Sequence, residues 1–287
     1  MQPENQTSDV LPPPVLPPPI PPVIGIQAPR PESPGRRGLD AGRATLILLA
    51  YLGAQAVAGL TAAFAVGLYL GIARGLHLTT VTVAKQIADL QPTTVLLGTV
   101  LGVIAGGIVM VVLTQAMAGP CLADRTPTGA AWVYGTPGEW IKGLGIGAAV
   151  AIAASLSSAG FEAMGLHPKE TALTKLILTP GLPQLAWFAL ALLVAPPIEE
   201  LLFRGVLYGA YRRALGPARA AVVVTAIFVL FHLGQIATFP PYALGIGGLA
   251  VAALWWRLRT AAVGPAMVVH FGYNLVIVLM AVCRPSS

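Results

Sequence analysis

Charge is what this chain has least of, and that shortage decides its solvent. Asp, Glu, Lys and Arg together make up 10% of 287 residues, apolar residues make up 56%, and the mean hydropathy is +0.77. A soluble domain carries about 25% charged residues. A chain this poor in charge cannot cover a water-facing surface, so its exterior must face lipid. Cysteine is nearly missing: Cys121 and Cys283 form neither a metal-type pair nor a disulfide framework. The zinc signature H-E-x-x-H is absent, and aspartate is missing from every apolar span, which argues against an aspartyl dyad. No segment interleaves basic with aromatic residues. The net charge of +6 is therefore not read as a nucleic-acid partner, because many of the arginines flank apolar runs, as topology signals do.

What is present divides the chain in three. Residues 1–42 hold twelve of the 26 prolines, mostly in V-L-P-P-P-V-L-P-P-P-I-P-P. Proline fixes φ and lacks an N–H, so this stretch is expected to be a disordered, extended cytoplasmic tail without a packed core. It is not a signal peptide, since the first insertable run begins only after Arg43. Residues 43–182 and 183–283 then carry apolar spans at about 44–73, 94–118, 143–165, 183–213, 219–236, 241–257 and 262–283. Most exceed the roughly 20 residues needed to cross the hydrocarbon. Only helices satisfy their own backbone groups in lipid. The expected fold is therefore an all-α polytopic bundle of about seven transmembrane helices. The sixth span is short. No internal repeat is evident, which weakens an inverted-repeat transporter reading.

With the N-terminus cytoplasmic, eleven basic residues fall on the inner side: Arg30, Arg36, Arg37, Arg43, Arg125, Lys142, Arg212, Arg213, Arg219, Arg257 and Arg259. Five fall outside: Arg74, Lys85, Lys169, Lys175 and Arg284. This bias favours N-terminus inside. Trp255 and Trp256 beside Arg257 fit an interfacial anchor.

The chemistry lies in what the spans contain. Glu199, Glu200 and Arg204 sit in P-P-I-E-E-L-L-F-R-G, His232 in F-V-L-F-H, and His270 with Asn274 in H-F-G-Y-N. An ionisable group at the bilayer centre costs about 2.5–3.5 kcal/mol on the translocon scale, so such residues face a bundle interior or a water-filled cavity. Glu200 and Arg204 are four apart and can pair on one helix face, while Glu199 points about 100° away. Which glutamate faces the cavity is left open by spacing. Pro197 should kink its helix and free carbonyls one turn earlier.

The ordered set E-E-L-L-F-R-G, F-x-x-x-H and H-x-x-x-N, over residues 183–283, resembles the CPBP family of CAAX prenyl proteases and bacteriocin-processing or self-immunity (Abi) proteins. The resemblance implies a membrane-embedded peptide hydrolase. Glu199 would be the general base and His232 would help to activate water. His270 and Asn274 would stabilise an oxyanion, and Glu200 with Arg204 would give structural support. The implied partners are a peptide or membrane-protein substrate and the lipid bilayer. The expected location is a bacterial plasma membrane.

Three alternatives stand beside this reading. Glu199, His232 and His270 could supply three ligands to a divalent metal such as zinc. A membrane transporter would use intramembrane Glu and His as a proton relay. A scaffold or self-immunity protein would keep the fold without proteolysis. Ser155, Ser157 and Ser158 have no histidine in their span and read as helix-packing residues.

Overall fold

The computed structural model describes residues 39–75, 80–118, 135–178 and 180–283. The proline run, Cys121, Arg125 and His77 lie outside these. The described residues belong to one compact unit, Glu32–Ser287, and include no strand. The helices are α1 (Ala41–Gly75), α2 (Thr80–Ala118), α3 (Pro137–Ala163), α4 (Ala172–Leu178), α5 (Leu182–Leu215), α6 (Pro217–Phe231), α7 (Leu233–Thr238), α8 (Tyr242–Thr260) and α9 (Val263–Val282).

Five of them, α1, α2, α3, α5 and α9, are long and apolar enough to cross a membrane, and the chain is an integral membrane protein. The two remaining expected spans are shorter. α6 stops after 15 residues, at His232, which gives about 22 Å of rise against a hydrocarbon core of about 30 Å. α8 has 19 residues, but Arg257 and Arg259 occupy its last turn and curtail its apolar stretch. α2 and α3 begin earlier than their apolar runs. The start of α3 is set by a capping box, in which Thr136 Oγ1 accepts from the Glu139 N–H and the Glu139 carboxylate accepts from the Thr136 N–H.

Lipid offers no hydrophobic drive between helices, so close approach at small residues holds them together. On α2, Gly98, Gly102 and Gly106 recur every four residues and meet Gly59, Gln55 and Tyr51 of α1 in turn. On α3, Gly143 and Gly147 form a G-x-x-x-G pair against α9, where a Cβ on Gly147 would overlap the Val269 carbonyl.

α5 is the central helix. Leu201, Leu202, Phe203 and Leu207 are buried against Ile47 of α1, Met110 of α2, Phe228 of α6 and Ala253 of α8. The stretch of α5 from Glu199 to Tyr211 is buried throughout, and such a stretch is where charge can be kept from lipid on every side. α5 is not uniformly α-helical. π-helical turns at Leu190–Val194 and Leu201–Leu207 bracket the segment that bears the two glutamates. Such turns often mark functional positions. Here Pro196 and Pro197 follow the first turn directly, and the freed carbonyls expected from Pro197 appear as a local change of helical register.

Candidate active site

The two glutamates end up in different environments. Glu200 is fully buried, and its Oε1 accepts from Arg204 at 3.0 Å and from His270 Nδ1 at 2.9 Å. Arg204, also buried, donates a second hydrogen bond to the Ala250 carbonyl of α8 at 3.0 Å. Its guanidinium lies 4.4 Å from the centroid of the Phe228 ring, a geometry that adds cation–π attraction. Glu200 is thus the fixed centre of a network joining α5, α8 and α9.

Glu199 faces the histidines instead. Its Oε2 lies 3.9 Å from His232 Nε2 and 4.0 Å from His270 Nε2, and this oxygen is buried without a hydrogen-bond partner in the protein. Both separations are too long for a direct hydrogen bond. They suit a small group held between the three side chains.

The surroundings settle the tautomer of His232. Its Nδ1 lies 2.8 Å from the Phe228 carbonyl oxygen, which can only accept, so Nδ1 carries the proton. The same contact explains the F-x-x-x-H spacing. α6 ends here, and the His232 N–H turns back to the Val229 carbonyl, so the Phe228 carbonyl loses its usual donor four residues on. The imidazole of His232 supplies the replacement, and its ring packs on Phe228 at 4.5 Å between centroids. When the ring is neutral, this leaves the lone pair of Nε2 presented to Glu199. His270 Nδ1 likewise donates to the Glu200 carboxylate. A second proton, on Nε2, would make His270 a donor towards Glu199 and would bring the formal charge of Glu199, Glu200, Arg204 and His270 to zero. A buried set that sums to zero avoids an uncompensated charge.

Asn274 lies one turn further along α9. Its Nδ2 donates to the Ala191 carbonyl at 2.7 Å. The Ala195 N–H reaches back to Leu190 in the first π turn, and Pro196 has no N–H. Ala191 is therefore left without a donor from its own helix, and Asn274 provides one. An amide carries two N–H groups, so one remains for another acceptor.

The structure thus brings Glu199, His232 and His270 together across α5, α6 and α9, sets Glu200 and Arg204 immediately behind them, and engages Asn274 with the backbone of α5. The carbonyls of Ala191, Phe228 and Ala250 are part of the arrangement and were not legible in the sequence, because a backbone acceptor has no side-chain signature. Glu199, His232 and His270 would be the ligands of a divalent ion. Bonds of 2.0–2.1 Å in a tetrahedral zinc site imply ligand separations of about 3.3 Å, shorter than those from Glu199 to either imidazole. No group of three His, Cys, Asp or Glu among the described residues is arranged to hold a metal ion. As placed, the three residues do not fit one.

Residues 181–276 match the family model described as type II CAAX prenyl endopeptidase Rce1-like. The match begins at the start of α5 and contains Glu199, Glu200, Arg204, His232, His270 and Asn274. It covers roughly a third of the chain, and α1 to α4 lie outside it. The segment that carries the three motifs therefore matches the CAAX protease family. No curated protein and no solved structure matches the chain.

Proposed function

Taking that segment as the premise, we propose that the chain is an intramembrane endopeptidase in which a water activated by Glu199 cleaves a peptide or membrane-protein substrate. The observation that carries this reading is the convergence of Glu199 Oε2 with the Nε2 atoms of His232 and His270 at 3.9 and 4.0 Å. A water with hydrogen bonds of about 2.8 Å to Glu199 and to one imidazole would sit to one side of the line between them, at an angle of about 90°. A water there can donate one proton to Glu199 and the other to the lone pair of His232 Nε2, which aims its oxygen at a peptide carbonyl. As the C–O bond forms, Glu199 takes the proton. The carbonyl becomes an oxyanion, stabilised by the Nε2–H of protonated His270 and by the second N–H of Asn274 where the substrate reaches it. Collapse breaks the C–N bond, and the proton on Glu199 passes to the leaving amine.

Glu200 and Arg204 act earlier in the chain of causes. They hold His270 at a fixed orientation and balance its charge. A site preorganised in this way has little reorganisation to undergo during the reaction.

The test is cleavage by the purified full-length protein in detergent. The first probe is a quenched fluorescent peptide ending in a farnesylated Cys-aliphatic-aliphatic-X sequence, and the second is a panel of unmodified transmembrane peptides. Turnover by the wild type, lost in Glu199→Gln with the fold retained, is the expected result. Turnover that survives in Glu199→Gln would end the glutamate reading. A chelator arm belongs in the same experiment: loss of activity with 1,10-phenanthroline and its return with zinc would reassign Glu199, His232 and His270 as metal ligands.

A further inference from the structure

α1 lies outside the segment matched to the protease family, yet it brings two polar side chains towards Glu199. Tyr51 is fully buried. Its Oη and the Nε2 of Gln55, one turn along the same face, have no hydrogen-bond partner in the protein. Tyr51 and Gln55, four residues apart, share one face of α1, and α1 packs on the Leu201–Leu207 turn that directly follows Glu199 and Glu200. Glu199 Oε2 is unpartnered as well.

The packing holds these groups in place. Gly106 of α2 leaves the space that the Tyr51 ring fills, since a Cβ there would come within 2.8 Å of it. Gly102 does the same for the stem of Gln55, at 3.3–3.5 Å. Gly107, on the neighbouring face of α2, lies against the side chain of Ile198, the residue before Glu199. The Tyr51 ring also packs on Phe231 at 6.0 Å, and Phe231 packs on His232 at 5.5 Å. The glycine ladder of α2 therefore docks α1 against the site with its polar residues turned inward.

Orphaned polar atoms at membrane depth cost several kcal/mol each in hydrocarbon. One water with two to four polar partners removes that cost. The three atoms offer complementary chemistry: Gln55 Nε2 donates, Glu199 Oε2 accepts, and Tyr51 Oη does either. A single water, distinct from the one that bridges Glu199 and His232, accepting from Gln55 and donating to Tyr51 and Glu199 would satisfy all of them. We propose that Tyr51 and Gln55 are positioning residues that hold a water against Glu199 Oε2, making α1 the remaining wall of the site. The inference rests on the hydrolase reading of Glu199, to which it adds the route by which water is retained beside a base shielded from bulk solvent.

Two measurements test it on the full-length protein. The first is kinetic, on the farnesylated fluorescent peptide. Tyr51→Phe and Gln55→Leu should each lower kcat about five- to tenfold, the scale of one hydrogen bond, with KM and the melting temperature unchanged. The double variant should be little worse than the poorer single one, because both act through the same water. An unchanged kcat, a rise in KM alone, or a fall in kcat matched by a fall in melting temperature would overturn the proposal. The second measurement does not depend on turnover. A density map that resolves ordered solvent should show a water within hydrogen-bond distance of both Tyr51 Oη and Glu199 Oε2. A direct Tyr51–Glu199 hydrogen bond, or no water there, would overturn it. Glu199→Gln separates the two ideas. Activity in that variant ends the protease reading, whereas an inactive Glu199→Gln beside fully active Tyr51→Phe and Gln55→Leu ends only the role of α1.

Discussion

Replacing Arg204 with alanine should damage the fold more than any other single change at the site. Arg204 is 1% exposed and Glu200 is not exposed at all. The guanidinium makes two hydrogen bonds, to Glu200 Oε1 and to the Ala250 carbonyl, both at 3.0 Å, and packs on Phe228. Arg204→Ala leaves Glu200 as a buried anion with only His270 beside it, and opens a void above the aromatic ring. Breaking a buried pair from one side costs about 3–5 kcal/mol. At about 2–4 °C per kcal/mol for a chain of this order of size, the melting temperature in detergent should fall by about 6–20 °C. Glu200→Gln keeps an acceptor for both partners but converts two charge-assisted hydrogen bonds into weaker ones, so its cost should be about 2–3 kcal/mol. Glu199→Gln should cost less than Glu200→Gln, since Glu199 stands 3.9 and 4.0 Å from the two imidazoles and makes no direct hydrogen bond to either. The double variant Glu200→Gln, Arg204→Met should be more stable than Arg204→Ala, because no uncompensated charge remains. Thermal melts followed by tryptophan fluorescence give the ranking. Glu199→Gln melting below Glu200→Gln would refute the argument, because it would make Glu199 the member of the pair that holds the helices together.

Three further outcomes are expected. Asn274→Ala should lower stability by about 1–3 kcal/mol, the cost of leaving the Ala191 carbonyl unpaired, and Asn274→Asp should be at least as harmful because a carboxylate would face that carbonyl; melts of the two variants check this. Gly147→Ala should force α3 away from α9 and lower the melting temperature sharply, whereas Gly247→Ala, whose Cβ meets nothing within 4 Å, should be neutral or slightly stabilising by helix propensity. Deleting residues 1–38, which carry none of the motif residues, should leave insertion and turnover near the full-length values; a large loss of turnover would give the proline-rich segment a role in the reaction.

Much about this protein is determined by its sequence alone. Too little charge to meet water and long apolar runs leave an all-helical membrane bundle as the consistent outcome. Charged and polar residues inside those runs had to turn inward, which singled out Glu199, Glu200, Arg204, His232, His270 and Asn274 before any coordinates. The i, i+4 spacing of Glu200 and Arg204 also announced their ion pair, because that contact lies within one helix. Spacing did not announce the end of α6 at His232, where a side chain stands in for a backbone donor, nor the shortness of the fifth segment. It could not reveal that Asn274 caps a carbonyl of α5, because the need for that cap arises from a π turn ahead of two prolines and the answer comes from a helix more than eighty residues away in the chain. The division of labour between Glu199 and Glu200 was likewise undecided. Adjacent glutamates differ only by a rotation about the helix axis, and which face meets α9 and which meets α6 depends on how the small residues of α2 and α3 let the other helices approach. Local periodicity placed the reactive groups on helices. Their distances, and the hydrogen bonds that set their protonation, came from packing between helices.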